Sequence, residues 1–157
     1  MTTVDALVWK VRAGSESERR AAAQRLGELG EPRAVDALIH ALGDLDRDVR
    51  AAAAESLGRL GDPRAIDPLI DTFFRDKQWS VREAAARGLD ALNSARASDP
   101  RLRALVDRLC TQLGSESWRM RETAARLLGK LAVGSSFHPL IRRHRRRLYR
   151  ALRDEMP

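Results

Sequence analysis

Apolar residues along the chain recur at helical spacing and not in alternation. Four stretches align when Glu18, Val49, Val81 and Met120 are taken as their first positions. Three and four residues on stand Ala21/Ala22, Ala52/Ala53, Ala84/Ala85 and Thr123/Ala124. Eight residues on stand Leu26, Leu57, Leu89 and Leu128, and eleven on Leu29, Leu60, Leu92 and Leu131. Offsets 0, 3, 4, 8 and 11 lie on one face of an α-helix. This element is helix A of a repeat whose copies begin 31, 32 and 39 residues apart. Gly27, Gly58 and Gly129 recur at offset nine, where a mid-helix glycine costs about 1 kcal/mol against alanine. Their recurrence predicts a close helix crossing. The third copy has Asp90 there.

Each helix A is followed by a turn with a proline: Glu31-Pro32, Asp62-Pro63, Asp99-Pro100 and His138-Pro139. Proline suits the first position of a helix, and the acidic residue before it can cap. A second helix, B, follows, with Val35, Leu38, Ile39 and Leu42 in the first copy. Ile66, Leu69, Ile70 and Phe73 follow in the second, and Leu102, Leu105, Val106 and Leu109 in the third. Helices are expected at 3–12, 17–29, 32–43, 47–60, 63–75, 79–93, 100–113, 117–132 and 138–154. The first, around Val4, Leu7, Val8 and Val11, has no helix A before it and is expected to cap the N-terminal end. Inserted residues 93–98 and 132–136, rich in Ser, Asn, Ala and Gly, read as mobile loops. No helix pair can bury its apolar face alone, so the pairs must stack. One domain over 1–157 is expected: a cap helix (1–15) and repeats at 16–45, 46–77, 78–114 and 115–157.

The string from Val49 to Ile70, VRAAAAESLGRLGDPRAIDPLI, resembles the HEAT-like repeat of the phycobilisome-lyase type. The resemblance covers roughly residues 16–154. It implies an all-α fold, a right-handed α-α superhelix (solenoid) of about four helix pairs plus the N-terminal cap, with B helices lining a concave surface. Proteins of this kind include scaffolds, adaptors, phycobilin lyase subunits, an iron-dependent hydroxylase and DNA-binding glycosylase relatives, so the fold does not choose a function.

Charge narrows the choice. The formal net charge is +7, from 29 basic and 22 acidic residues, but residues 142–157 hold seven arginines against Asp154 and Glu155. The rest of the chain is nearly neutral. A single cysteine, Cys110, excludes an intramolecular disulfide and lies on an apolar helix as a core residue. No apolar run reaches the ~20 residues of a membrane span, and the start lacks a secretory pattern. A cytoplasmic protein with no membrane contact is expected. His40, His138 and His144 are not followed by the carboxylates of the iron-binding pairs that the hydroxylase resemblance implies. No metal-ligand set, catalytic constellation or cofactor motif stands out.

Binding candidates remain. Arg19, Arg50, Arg82 and Arg121 recur at the start of helix A and read as a structural ladder to caps or carbonyls of the next repeat, with a phosphate-binding ladder as the other reading. Trp79 and Trp118 share one repeat position, either as packing wedges or as partner anchors. Polar B-helix positions make a groove that runs from Arg33, Asp36, His40, Arg64, Asp67 and Asp71, through Arg101, Arg103, Asp107 and Arg108, to the basic Arg142, Arg143, Arg146 and Arg147. The last helix, which also carries Arg150, is a solvated cap, a contact for an acidic protein surface, a nucleic-acid contact or a membrane contact. Arginine suits bidentate bonds to carboxylate or phosphate. The reading is a non-enzymatic adaptor for a protein partner with an acidic surface. Nucleic-acid binding is the alternative and a phycobilin-lyase-like or other enzyme subunit the third, and membership of a larger assembly stays open.

Overall fold

The computed structural model describes residues 3–96 and 99–132, and all regular structure among them is helical. The chain divides into two compact units, 1–95 and 96–157. In the first, α1 (Thr3–Ala13) packs on α2 (Glu16–Leu29) and α3 (Val35–Ala41). It continues through α4 (Arg47–Leu60), α5 (Ile66–Arg75) and α6 (Trp79–Arg96). In the second, α7 (Pro100–Gln112) packs on α8 (Trp118–Ala132). The ninth expected helix, 138–154, and the inserted residues 132–136 lie outside the described residues, apart from Ala132 at the end of α8.

Prolines act differently in the two units. Pro32 and Pro63 open short 3-10 turns, Pro32–Ala34 and Pro63–Ala65, so α3 and α5 begin three residues later than the apolar pattern places them. Pro100 opens α7 directly. Asp62 and Asp99 cap as expected, accepting from the Arg64 and Arg101 amides at 2.9 Å. Glu31 makes no side-chain cap bond.

The expected loop at 93–98 is corrected over residues 93–96, while 97 and 98 lie outside the described residues. α6 continues to Arg96. Gly30 and Gly61, the residues that end α2 and α4, adopt the left-handed conformation at φ 69° and 67°, which glycine reaches without Cβ strain. The equivalent third residue is Asn93, so that stop is missing, and Asn93 is buried within the helix.

The core follows the stripe that the periodicity marks, except that Glu18, Ala21 and Leu29 of the first copy are exposed. Leu26, Leu57 and Leu89 of the A helices are wholly buried, as are Leu38, Leu69, Leu102 and Leu105 of the B helices. Two glycines set the A-helix spacing. A Cβ on Gly27 would lie 2.8 Å from the Ser56 Cα, and one on Gly58 would lie 2.5 Å from the Gly88 Cα. Both are far inside van der Waals contact. Ser56 Oγ uses the first approach to donate to the Ala23 carbonyl at 2.8 Å. The reading does not extend to Gly129, which is exposed and has open space where its Cβ would stand.

Candidate partner-binding site

The B helices of the first unit share one register. Val4, Val35 and Ile66 are buried at one position. The next residues, Asp5, Asp36 and Asp67, are exposed, and four further on so are Trp9, His40 and Asp71. Two exposed rows, four residues apart and each repeating every 31 residues, therefore run across α1, α3 and α5. Trp9, 60% exposed, stands in this register as a large aromatic on a polar surface. The sequence reading missed it because the alignment was anchored on helix A, and α1 has no helix A before it. Sliding the B-helix pattern back by 31 residues would have found it.

One end of this face is fixed by arginine. Arg64 folds onto its own cap, Nε to Asp62 Oδ1 at 3.1 Å and Nη2 to Oδ2 at 3.0 Å. Its Nη1 donates to Asp36 Oδ1 at 2.9 Å, linking the turn before α5 to α3. The bond with Asp62, then the charges of Asp62 and Asp36, hold the Arg64 guanidinium above its ordinary pKa against the cost of burial. Arg101 repeats the arrangement on Asp99, at 3.0 and 2.8 Å.

The repeated helix-A arginines form a structural ladder. Arg19 donates to both Asp44 oxygens at 2.8 Å and to the Gly14 carbonyl at 3.1 Å. Arg50 donates to Asp76 at 2.7 and 3.1 Å, and to the Asp44 and Leu45 carbonyls at 2.9 and 3.1 Å. Arg82 donates to the Phe73 carbonyl at 2.9 Å. Arg121 donates to the Ser115 and Glu116 carbonyls at 2.9 and 3.1 Å. The carboxylate partners, Asp44 and Asp76, each stand two residues before the residue that precedes the helix, Asp46 before α4 and Gln78 before α6. Burial pushes both carboxyls up. The arginine bonds, the amides of Asp46 and Gln78 and nearby arginine charge outweigh it, leaving both below the ordinary carboxylate value. Burial lowers the Arg82 pKa, with the charge of Asp76 opposing it.

The described candidate residues are divided between the two units. Asp67 and Asp71 are exposed on α5, and Asp71 lies 3.8 Å from Arg75. Arg101 is half-buried at its cap and Arg108 is exposed on α7. Arg142, Arg143, Arg146, Arg147 and Arg150 lie outside the described residues. The tryptophans differ, against the expectation of a shared environment. Trp79 is half-buried, with Arg82 one turn on lying 6.0 Å above its ring. Trp118 is 57% exposed, which removes the packing-wedge reading there. Its cation is Arg119, at 5.4 Å and itself exposed, so the ring stays in solvent. Cys110 is buried in α7.

The model of HEAT repeats matches residues 4–90 of this helix-pair array. The chain belongs to the HEAT-repeat family. Its fold class is all-α, of the solenoid type that HEAT repeats build, and it resembles the lyase-type members in particular. A chain in the structure of the complex of CpcE and CpcF of phycocyanin lyase from Nostoc sp. PCC7120 is similar, with 30% identity and a TM-score of 0.64. The likeness covers 97% of this chain but only 64% of that one. An engineered protein matches at 22% identity and a TM-score of 0.62, over 96% of this HEAT chain and 68% of its own, and shows the fold alone. No curated protein matches. Among the described residues, no helix is long and apolar enough to cross a membrane.

Proposed function

We propose that this HEAT-repeat protein is a non-enzymatic, cytoplasmic adaptor. It binds a protein partner through the outer face of its B helices, assisted by the basic C-terminal segment, and all 157 residues act as one repeat array. The observation that carries this reading is the pair of exposed rows on α1, α3 and α5. They lay carboxylates, a histidine and a tryptophan over a closed apolar core. Such a surface has aromatic and charged anchors of the kind that dominate protein interfaces. The similarity to a chain from a two-protein complex supports a partner-bound role.

Affinity capture with the full chain, and with Asp67→Lys/Asp71→Lys, tests it. A stoichiometric protein bound by the parent and lost from the variant is the expected result. The same bound proteins in both would overturn it. A second reading is a lyase subunit acting with a partner subunit, favoured by the 30% identity over 97% of the chain. Co-expression with a phycocyanin subunit and a bilin supply, read by covalent chromophore in denaturing gels, tests that role. The nucleic-acid alternative rests on the seven arginines of the terminal segment. It requires log affinity for DNA to fall against log salt with a slope of roughly −6, and a flat response ends it.

A further inference from the structure

We propose that α2 closes the stack of A helices on its exposed side. The stripe Glu18, Ala21, Arg25 and Leu29 is built to keep a second copy of this chain, or any other helical repeat, from packing there.

Equal positions of the A helices differ in what they meet. The stripe is Val49, Ala52, Ser56 and Leu60 in α4, and Val81, Ala84, Gly88 and Leu92 in α6. Val49, Ala52 and Ser56 are buried and Leu60 is half-buried, and all four residues of α6 are buried. Here one A helix lies on the one before it. Ser56 meets Gly27 and bonds the Ala23 carbonyl, and Gly88 meets Gly58. In α2 the same stripe is exposed, although α1 packs on that helix. Two positions have changed character. Glu18 stands where α4 and α6 have a wholly buried valine. Arg25 stands at the point of closest approach, where the stack has Ser56 and Gly88. A guanidinium does not fit a crossing in which a Cβ on the facing glycine would lie 2.8 Å from the Ser56 Cα. Both charges are already bonded within the first unit. Glu18 accepts from the Ser15 amide and hydroxyl at 3.0 and 2.8 Å and lies 3.9 Å from Lys10. Arg25 donates to Glu28 at 2.7 Å. An incoming helix offers them no missing partner and strips their water, which costs more than it returns. Ala21 and Leu29, the latter 40% exposed, keep the apolar character of the repeat. The two charged positions therefore close the stripe, as the polar outer face of an end repeat must if arrays are to stay apart.

Giving α2 the residues of α4 tests this, with Arg25→Ser and Glu18→Val/Arg25→Ser made in the full chain. Arg25→Ser leaves the capping box of Ser15 and Glu18 intact, so it decides the matter if the double variant fails to fold. Sedimentation across a concentration series should show self-association strengthened about tenfold or more over the parent, the double variant exceeding the single, with an unchanged helical circular-dichroism spectrum. Ala21→Cys locates the contact. Under mild oxidation it should give disulfide-linked dimers in the Arg25→Ser background and monomers in the parent background, the native Cys110 being buried. Folded variants that sediment and cross-link as the parent does overturn the proposal. So does an Ala21→Cys parent that cross-links as readily as the variant, because the face then already packs a second copy. Neither result bears on partner capture through Asp67 and Asp71, so the adaptor reading stands or falls separately.

Discussion

The two units solve the same problem, fixing a B-to-A turn beneath the next helix, with different chemistry. Before α4 and α6 the turn carries Asp44 and Asp76, each gripped by an arginine about one repeat earlier in sequence, Arg19 and Arg50. Before α8 the corresponding residue is Ser115, which accepts from the Ser117 amide at 3.3 Å. Arg121 there donates to two backbone carbonyls of its own turn. Holding the turn by arginine–carbonyl bonds is thus common to both units. The arginine–carboxylate staple between repeats is seen in the first. Glycine follows the same division, close-packed at Gly27 and Gly58 and exposed at Gly129. A regular 31- to 32-residue spacing permits both devices, because each repeat meets the next in the same register. The step into the fourth copy is longer, 39 residues.

The sharpest break of this comparison comes from glycine. Gly58→Ala puts a methyl 2.5 Å from the Gly88 Cα and 3.1 Å from its carbonyl oxygen. Backbone must move, and the cost should be about 3 kcal/mol. Gly129→Ala meets nothing within 4 Å and should gain about 0.5–1 kcal/mol from helix propensity. Denaturant midpoints of opposite sign for one chemical change would establish that the crossing, and not helix propensity, requires Gly58. Two losses of equal size would remove the distinction.

Next in size is the staple. Arg50→Ala strands the half-buried Asp76 and frees two carbonyls, which should cost about 2–3 kcal/mol in urea unfolding. Arg121→Ala frees carbonyls only and should cost about 1 kcal/mol. Equal costs would show that the carboxylate adds nothing to the turn.

Acid should expose the same asymmetry. Asp44 and Asp76 titrate below their ordinary value of 3.8 in the folded protein. A depressed carboxylate contributes stability that is complete above its unfolded pKa and is lost as pH falls through the folded one. The thermal midpoint should therefore drop on going from about pH 5 downward. Asp76→Asn should start less stable at neutral pH and show a shallower acid limb. A limb of unchanged slope would refute the assignment to Asp76.

Much of this was legible from residues alone, because helix A repeats on a period that only an α-helical face satisfies. The arginine ladder was legible as well, but not its partners. A cap residue is recognisable by type, whereas Asp44 and Asp76 gain their role from where the arginine reaches across space. Asn93 misled for a physical reason. Its loop-like neighbourhood outweighed the one signal that mattered, the absence of glycine at the position where Gly30 and Gly61 end their helices. Trp9 was missed through alignment and not chemistry. The difference between Trp79 and Trp118 depends on which nearby arginine covers the ring, which repeat position does not fix.

The smallest effect asks whether the first unit's device can be transplanted. Ser115→Asp places a carboxylate at the position of Asp44 and Asp76 while keeping the acceptor for the Ser117 amide, now at 3.3 Å. In the first unit the equivalent carboxylates accept from the Asp46 and Gln78 amides at 2.9 and 2.8 Å. A charged acceptor there strengthens the turn bond and favours the cationic Arg121, whose guanidinium already bonds the Ser115 carbonyl. The site is partly exposed, so screening limits the gain to about 0.5 kcal/mol. That gain should vanish below about pH 4, where the new carboxyl is protonated. It should also vanish in the Arg121→Ala background, where the double-mutant cycle reads only the shared term. A gain that persists without Arg121 would assign the benefit to the turn alone. The difference between the units would then be one of turn chemistry and not of an arginine staple.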